Sequence, residues 1–270
     1  MTMVVRRPVL KVTGRSRETR EDALAVERAL QIRVDEHDVA VTLRTPGHDA
    51  ELAFGFLAGE GLLARRADVA AVREVAAECA DQPDRIDITL APGVRFDWSR
   101  FERHFAATAA CGLCGRAHLD ALRSGLTPIP IGVPLDLPRL LELPERVRHA
   151  QATFAETGGL HAAVLCDSAL EPLVVREDVG RHNAVDKVCG WMLEHGRYAS
   201  GDHLMWVSGR AGAELVLKAA RARIPTLAAV GAPSSLAVEL AEAAGMTLIG
   251  FLRDGRCNVY TGEARLASSA

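Results

Sequence analysis

The run HLMWVSGRAGAELVLKAARARIPTLAAVGAPSSLAVELAEAAGMTLIGFL, residues 203–252, decides the fold class. Its apolar clusters come in two lengths. The runs His203–Val207, Thr226–Val230 and Thr247–Leu252 have strand length. The segments between them, Ala211–Arg223 and Ser235–Ala244, have helical spacing and about a dozen residues each. Strands regularly followed by helices predict a parallel sheet covered by helices.

Working outward, Asp254-Gly255 is a hairpin signal, and it leads into a strand at Cys257–Tyr260. Upstream, Ala184–Glu194 reads as a helix, and His161–Cys166 and Leu173–Arg176 read as strands. Leu137–Glu156 reads as a helix that Pro144 kinks or restarts. The first part of the chain is different. Ala29–Val34 and Asp38–Arg44 are short β-rich runs around the polar Asp35-Glu36-His37, a hairpin pattern. Ala50–Leu63 follows the Pro46-Gly47 turn with apolar residues near helical spacing, and Arg85–Leu90 alternates as a strand should. The boundary falls near residues 100–135, around a cysteine pair and the proline-rich Thr127–Pro138. The expected division is 1–110, 111–135 and 136–270.

Composition excludes several functions. Apolar residues make up 49% of the 270, enough for a sizeable core, so disorder by composition is ruled out. Lysine plus arginine is 32 and aspartate plus glutamate 35, a net charge of 32 − 35 = −3, which does not suit a bulk polyanion binder. At 4% aromatics, a base-stacking platform for single-stranded nucleic acid is not expected. No apolar run approaches the roughly 18 residues of a membrane span. Met1–Thr13 lacks a secretory apolar core and is interrupted by Arg6 and Arg7, so the expected location is cytoplasmic. Of six cysteines, Cys79, Cys166, Cys189 and Cys257 stand alone and read as small core residues.

Cys111 and Cys114 stand apart, in Cys111-Gly-Leu-Cys-Gly-Arg116, where Gly112 and Gly115 favour a loop. Arg100, Arg103, Arg116, Arg123, His104 and His118 outnumber Glu102 and Asp120 nearby, and such a surplus favours the reactive thiolate. A redox dithiol, a persulfide carrier, a zinc site completed by His104 or His118, and an ordinary pair in a turn all fit this spacing. Zinc-deaminase chemistry does not, since no histidine is followed two residues later by glutamate and no proline precedes Cys111.

Two further features carry polar chemistry. Arg176–Lys187 packs charged and polar residues between a strand and a helix. It reads as a solvated loop with Asn183 as helix cap, or as a cluster in which Asp178, His182, Asp186 and Lys187 converge through i, i+4 spacings. Two strand ends run through small residues into helices, at Ser208-Gly209-Arg210 and at Gly231-Ala-Pro-Ser234-Ser235. Helix N-termini at parallel strand ends bind anions through backbone N–H groups, and two adjacent ones suit a pyrophosphate with Arg210 adding charge.

These segments, in this order, resemble the FdhD family, the formate dehydrogenase accessory sulfurtransferases. The resemblance rests on Cys111–Arg116, Gly158-Gly-Leu-His161, Arg176–Lys187, Ser208–Arg210, Ala232–Val238 and Gly250-Phe-Leu-Arg253, with Arg44-Thr-Pro-Gly47 and Gly55–Gly61, and runs from about Glu27 to Gly262. Gly212 and Ala213 are small departures from it. It implies a smaller N-terminal α+β domain followed by a cytidine deaminase-like three-layer α/β/α domain without the zinc ligands. It also implies a sulfur carrier that takes sulfane sulfur from a cysteine desulfurase. The sulfur passes to Mo-bis(molybdopterin guanine dinucleotide), molybdenum or tungsten, for formate dehydrogenase. Cys111 and Cys114 match the reactive pair, Cys111 being the first choice for the persulfide. Phe251, Leu252, Arg253, Asp254, Gly255 and Arg256 match a segment lining the cofactor site beside Ser208, Gly209, Arg210, Ser234 and Ser235. No metal is held directly by side chains. A homodimer is expected from the resemblance and from the frequency of twofold dimers, although the sequence shows no clear interface. A cofactor-binding chaperone without turnover and a zinc-binding interaction module are the alternatives.

Overall fold

The computed structural model describes residues 2–79, 81–94 and 126–266. Elements are numbered below in chain order among those residues.

The quoted run folds as read. Strands β9 (Leu204–Val207), β10 (Thr226–Ala229) and β11 (Thr247–Arg253) are parallel neighbours. Between them lie α5 (Ala213–Arg221) and α6 (Ser235–Ala243). They form the centre of a six-stranded mixed sheet in the order β12-β11-β10-β9-β7-β8, with β7 (His161–Cys166), β8 (Pro172–Asp178) and β12 (Arg256–Thr261) antiparallel to their neighbours. Every residue of β9 and β10 is buried, as expected of parallel strands covered on both faces. The period of two sorts the side chains. Met205, Val207, Leu227, Ala229 and Leu248 face α4 (Arg181–Glu194), α5 and α6. Leu204, Trp206, Ala228 and Ile249 face Leu140, Leu143 and Val147 of α2 (Leu137–Arg148). Helices thus cover both faces.

Pro144 does not restart the helix. It lies within α2, and the break comes later, before the short α3 (Ala152–Thr157) that ends at Gly158 in the left-handed region, φ 64°.

The first half holds a four-stranded sheet, β4-β3-β6-β5. It pairs β3 (Arg28–Val34) parallel to β6 (Asp84–Leu90), with β4 (His37–Arg44) and β5 (Val69–Val75) antiparallel at the edges. One face packs through Leu30, Ile32, Val34, Ile86 and Ile88 on α1 (Asp49–Gly59), which contributes Leu52, Phe54 and Leu57. Ahead of it stands a two-stranded hairpin, β1 (Val4–Thr13) and β2 (Ser16–Ala25), braced against α3 by the Arg6–Glu156 ion pair. The hairpin lies in the stretch that the family resemblance left out.

The two halves meet through α1 and α4, which cross at two glycines. A Cβ on Gly55 would lie 1.8 Å from the Asp186 carbonyl oxygen, and one on Gly190 would lie 1.8 Å from that of Glu51. Only residues without a side chain let the backbones come so close. The layers therefore stack as sheet, helix α1, helix α4, sheet and helix α2.

Candidate functional site

The two strand-end turns are brought together at one edge of the six-stranded sheet. Gly231 N–H donates to the Gly209 carbonyl (2.9 Å), Ala211 N–H to Ala232 (3.2 Å) and Ser234 N–H to Ala211 (3.1 Å). Phe251 N–H donates to the Gly231 carbonyl (3.2 Å), so the end of β11 joins the same row. Glycine makes this stacking possible. A Cβ on Gly231 would meet the Arg210 backbone at 3.1 Å, and one on Gly250 would meet Pro233 at 2.9 Å.

Some amide groups counted on for anion binding are thus consumed inside the turns. The amides of Gly209 and Arg210 remain without a hydrogen-bond partner among the described residues. The Gly212 N-cap gives α5 no side-chain cap. Arg210 is exposed and Gly209 half-buried, so both are available to an anion at this edge. Ser208 is committed to the fold, its Oγ accepting from Ala162 N–H at 2.9 Å. Ser234 is a helix cap, accepting from Ala237 N–H at 3.2 Å, with Ser235 exposed beside it in the first turn.

Phe251 sits in the left-handed region at φ 53°, a costly conformation for an aromatic residue. The Arg253 guanidinium lies over its ring at 6.0 Å. Asp254 and Gly255 form the expected tight turn, both with positive φ, and Arg253, Asp254, Gly255 and Arg256 are exposed. Leu252 corrects the sequence reading. It is fully buried on the α2 side of the sheet together with Ile249, because the irregularity between Gly250 and Arg253, with Phe251 at positive φ, interrupts the period of two, and its side chain is not exposed at the rim.

The same edge carries groups that the site reading from sequence missed. His182 Nε2 lies 2.9 Å from Glu214 Oε2, joining the first turns of α4 and α5. That hydrogen bond is the main reason the Glu214 carboxyl is held below the ordinary glutamate range. His161 stands against Gly209, 3.3 Å from where its Cβ would be, with Arg181 alongside. Burial, then Arg181 and His182, push its pKa down. The signal was present in the Gly158–His161 and Arg176–Lys187 motifs, but the partner, Glu214, comes from another helix.

The Arg176–Lys187 cluster is neither a solvated loop nor one convergent face. Lys187 Nζ lies 2.7 Å from Asp178 Oδ2, and both side chains are fully buried. Lys187 also donates to the Thr45 carbonyl (2.9 Å), and Asp178 accepts from Thr45 N–H (3.1 Å) and Gly180 N–H (2.9 Å). Burial pulls the Lys187 ammonium below its usual range, against the opposing pull of Asp178. Asp186 turns away to Lys218 (2.6 Å), and Arg176 forks onto Glu51 of α1, one arm at 2.6 Å. Asn183 caps nothing, because the helix starts at Arg181. Its amide donates to the Leu43 carbonyl at 2.8 Å and to Asp178 Oδ1 at 3.0 Å. The motif fastens the two halves together around the Arg44–Gly47 turn.

Cys111, Cys114, His104 and His118 lie outside the described residues. Of the other cysteines, Cys166 and Cys189 are buried, and burial pushes both thiols up to about 12, which leaves them unreactive. Cys257 is half-buried, and Cys79 is exposed, contrary to its reading as a core residue. No group of three or more His, Cys, Asp or Glu among the described residues is placed to hold a metal ion. Ser200, Asp202 and His203 come together, but Ser200 Oγ and Asp202 Oδ1 both lie 2.8 Å from the same ring nitrogen, Nδ1. A hydrolytic triad needs the two partners on opposite nitrogens. No helix among the described residues is long and apolar enough to cross a membrane.

Comparison with known proteins bears on the whole chain. The model of the FdhD/NarQ family matches residues 25–267. A protein named sulfur carrier protein FdhD from Streptomyces coelicolor is 46% identical over 271 residues, covering 98% of this chain and 96% of that one. One of the same name from Mycobacterium tuberculosis is 48% identical over 256 residues, covering 92% and 93%. The fold is similar to the crystal structure of a formate dehydrogenase accessory protein from Desulfotalea psychrophila, with a TM-score of 0.77, 24% identity, and coverage of 98% of this chain and 100% of that one.

Proposed function

The chain belongs to the FdhD/NarQ family, and from that membership we propose that it is a sulfur carrier in which Cys111 holds the transferred sulfur as a persulfide. The observation that carries this reading is the family match across residues 25–267, which contains Cys111-Gly-Leu-Cys-Gly-Arg116 and every other motif quoted above. The donor is a cysteine desulfurase. The Cys111 thiolate attacks the terminal sulfur of the donor's persulfide, the donor's cysteine leaves as its thiolate, and Cys111 becomes the persulfide, with no net change in electrons. Cys114 then either attacks the terminal sulfur, becoming the persulfide as Cys111 leaves as its thiolate, or attacks the Cys111 Sγ, forming a Cys111–Cys114 disulfide and releasing the sulfur as hydrosulfide.

The acceptor in this reading is Mo-bis(molybdopterin guanine dinucleotide), as substrate, destined for formate dehydrogenase. The rim of Gly209, Arg210 and the first turns of α5 and α6 supports it. The exposed guanidinium and uncommitted amides there suit a pyrophosphate. Phe251 and the exposed hairpin Arg253–Arg256 flank the same row. We read the second half as a cytidine deaminase-like domain, with helices on both faces of its sheet in support, and keep the division at 1–110, 111–135 and 136–270. A cytoplasmic homodimer completes the reading.

Intact-mass measurement after incubation with a desulfurase and cysteine tests it. The expected result is an adduct of about 32 Da, one sulfur atom, that Cys111→Ala abolishes. An equal adduct on Cys111→Ala overturns the assignment.

A further inference from the structure

The β1–β2 hairpin is the part of the fold with least to hold it. Ten pairs run from Val4↔Ala25 to Thr13↔Ser16, and the outer part, Pro8–Glu21, is exposed apart from a half-buried Val9. A two-stranded hairpin is marginal in water without a further strand or a surface to pack on. Leu10 and Val12 are 60% and 58% exposed near its tip.

Its two edges are not equivalent. Val26 N–H donates to the Met3 carbonyl, which fixes the phase of the ladder. Bonds to β2 then come from Val5, Arg7, Val9, Lys11 and Thr13, and the even-numbered residues of β1 face outward. Pro8 is one of them and has no N–H, so the outer edge of β1 is blunted. On β2 the outward groups belong to Arg17, Thr19 and Glu21, with no proline among them.

The charges of β2 read Arg17-Glu18-Thr19-Arg20-Glu21. Two such strands antiparallel about a twofold axis at Thr19 place Arg17 of one copy opposite Glu21 of the other, and Glu18 opposite Arg20. All four charge pairs are then unlike. A slip of one residue sets Arg17 on Arg20, or Glu18 on Glu21. Within the hairpin these charges have only loose partners, Lys11–Glu18 at 3.9 Å and Arg20–Asp22 at 3.6 Å. The register also aligns Leu10, Thr19, and the Thr19 and Leu10 of the other copy in one row across a four-stranded sheet.

We propose that the outer edge of β2 is a self-association surface, occupied by β2 of a second copy in twofold antiparallel register about Thr19. This rests on the homodimer in the functional reading and assigns it a surface. The test uses the full chain in three forms: wild type, an acidic variant Arg17→Glu/Arg20→Glu, and a basic variant Glu18→Arg/Glu21→Arg. All four side chains are exposed, so the fold should persist, as circular dichroism will report. Sedimentation of the wild type should show a dimer. Each variant alone opposes like charges at four positions and should dimerise about 100-fold more weakly. Mixed one to one, the variants restore unlike pairs at all four positions and should form a heterodimer. A monomeric wild type overturns both the homodimer and this surface. Variants as dimeric as the wild type, or a mixture that stays monomeric, overturn the surface alone.

Discussion

Replacing Lys187 by methionine removes the cation from a fully buried pair while keeping most of the side-chain volume. Asp178 then stays buried without a counter-charge, and breaking such a pair from one side costs about 3–5 kcal/mol. The surroundings put the loss at the low end. Asp178 keeps three donors, Thr45 N–H at 3.1 Å, Gly180 N–H at 2.9 Å and the Asn183 amide at 3.0 Å. Against that, the Thr45 and Glu177 carbonyls lose the donor they share at 2.9 and 3.3 Å. The expected loss is about 3 kcal/mol, read as a lower midpoint in guanidinium melts followed by circular dichroism. Adding Asp178→Asn to Lys187→Met takes away the stranded charge and should recover about 1 kcal/mol. A single variant that loses less than about 1 kcal/mol would refute the reasoning, as would a double variant that adds the full cost of Asp178→Asn.

Gly55→Ala and Gly190→Ala should each lower stability by roughly 3 kcal/mol in the same melts, because each new Cβ would meet a carbonyl oxygen at 1.8 Å; a midpoint like the wild type's would contradict the close crossing. Arg210→Ala should weaken guanosine diphosphate binding by about 1.5–3 kcal/mol in calorimetry while leaving sulfur loading of Cys111 intact. Equal binding by both proteins, or by neither, would remove the phosphate site from this rim. Burial is the first cause holding His48, His161 and His203 below the ordinary histidine pKa. The unfolded chain therefore binds more protons, so their contribution is complete above about pH 6.5 and is lost as pH falls through the folded values. Urea midpoints measured from about pH 7 to 5 should decline, and a flat profile would show that these histidines are not linked to folding.

What could be read from the chain follows the physics of burial. The strands β9, β10 and β11 lie inside the sheet, so their residues are apolar runs whose length alone separates them from the helices between. The β1–β2 hairpin has almost no buried face. Its second strand, Ser16–Ala25, is half charged and carries no pattern that distinguishes it from a loop. Val69–Val75 escaped for a similar reason, with only Val69 buried in an edge strand. In the candidate site, glycine and serine turns were visible because they are local, whereas commitments such as Ser208 to Ala162 depend on which strand lies beside them. The Arg176–Lys187 cluster shows the limit most clearly. Its helical spacings suggested one face, yet its partners are Thr45 and Glu51 on one side and Glu214 and Lys218 on the other. No spacing within twelve residues encodes a neighbour thirty or more positions away.

The paired glycines of the α1–α4 crossing constrain how this chain can change over generations. Each stands against main chain, which is the same whatever residue the neighbour becomes, so a side chain arriving at Gly55 or Gly190 cannot be accommodated by trimming another. Exchange of one half for that of a distant cousin succeeds only if the incoming helix brings its own glycine at the crossing. A hybrid of two relatives' halves should therefore keep its stability only where glycine stands on both sides of the crossing.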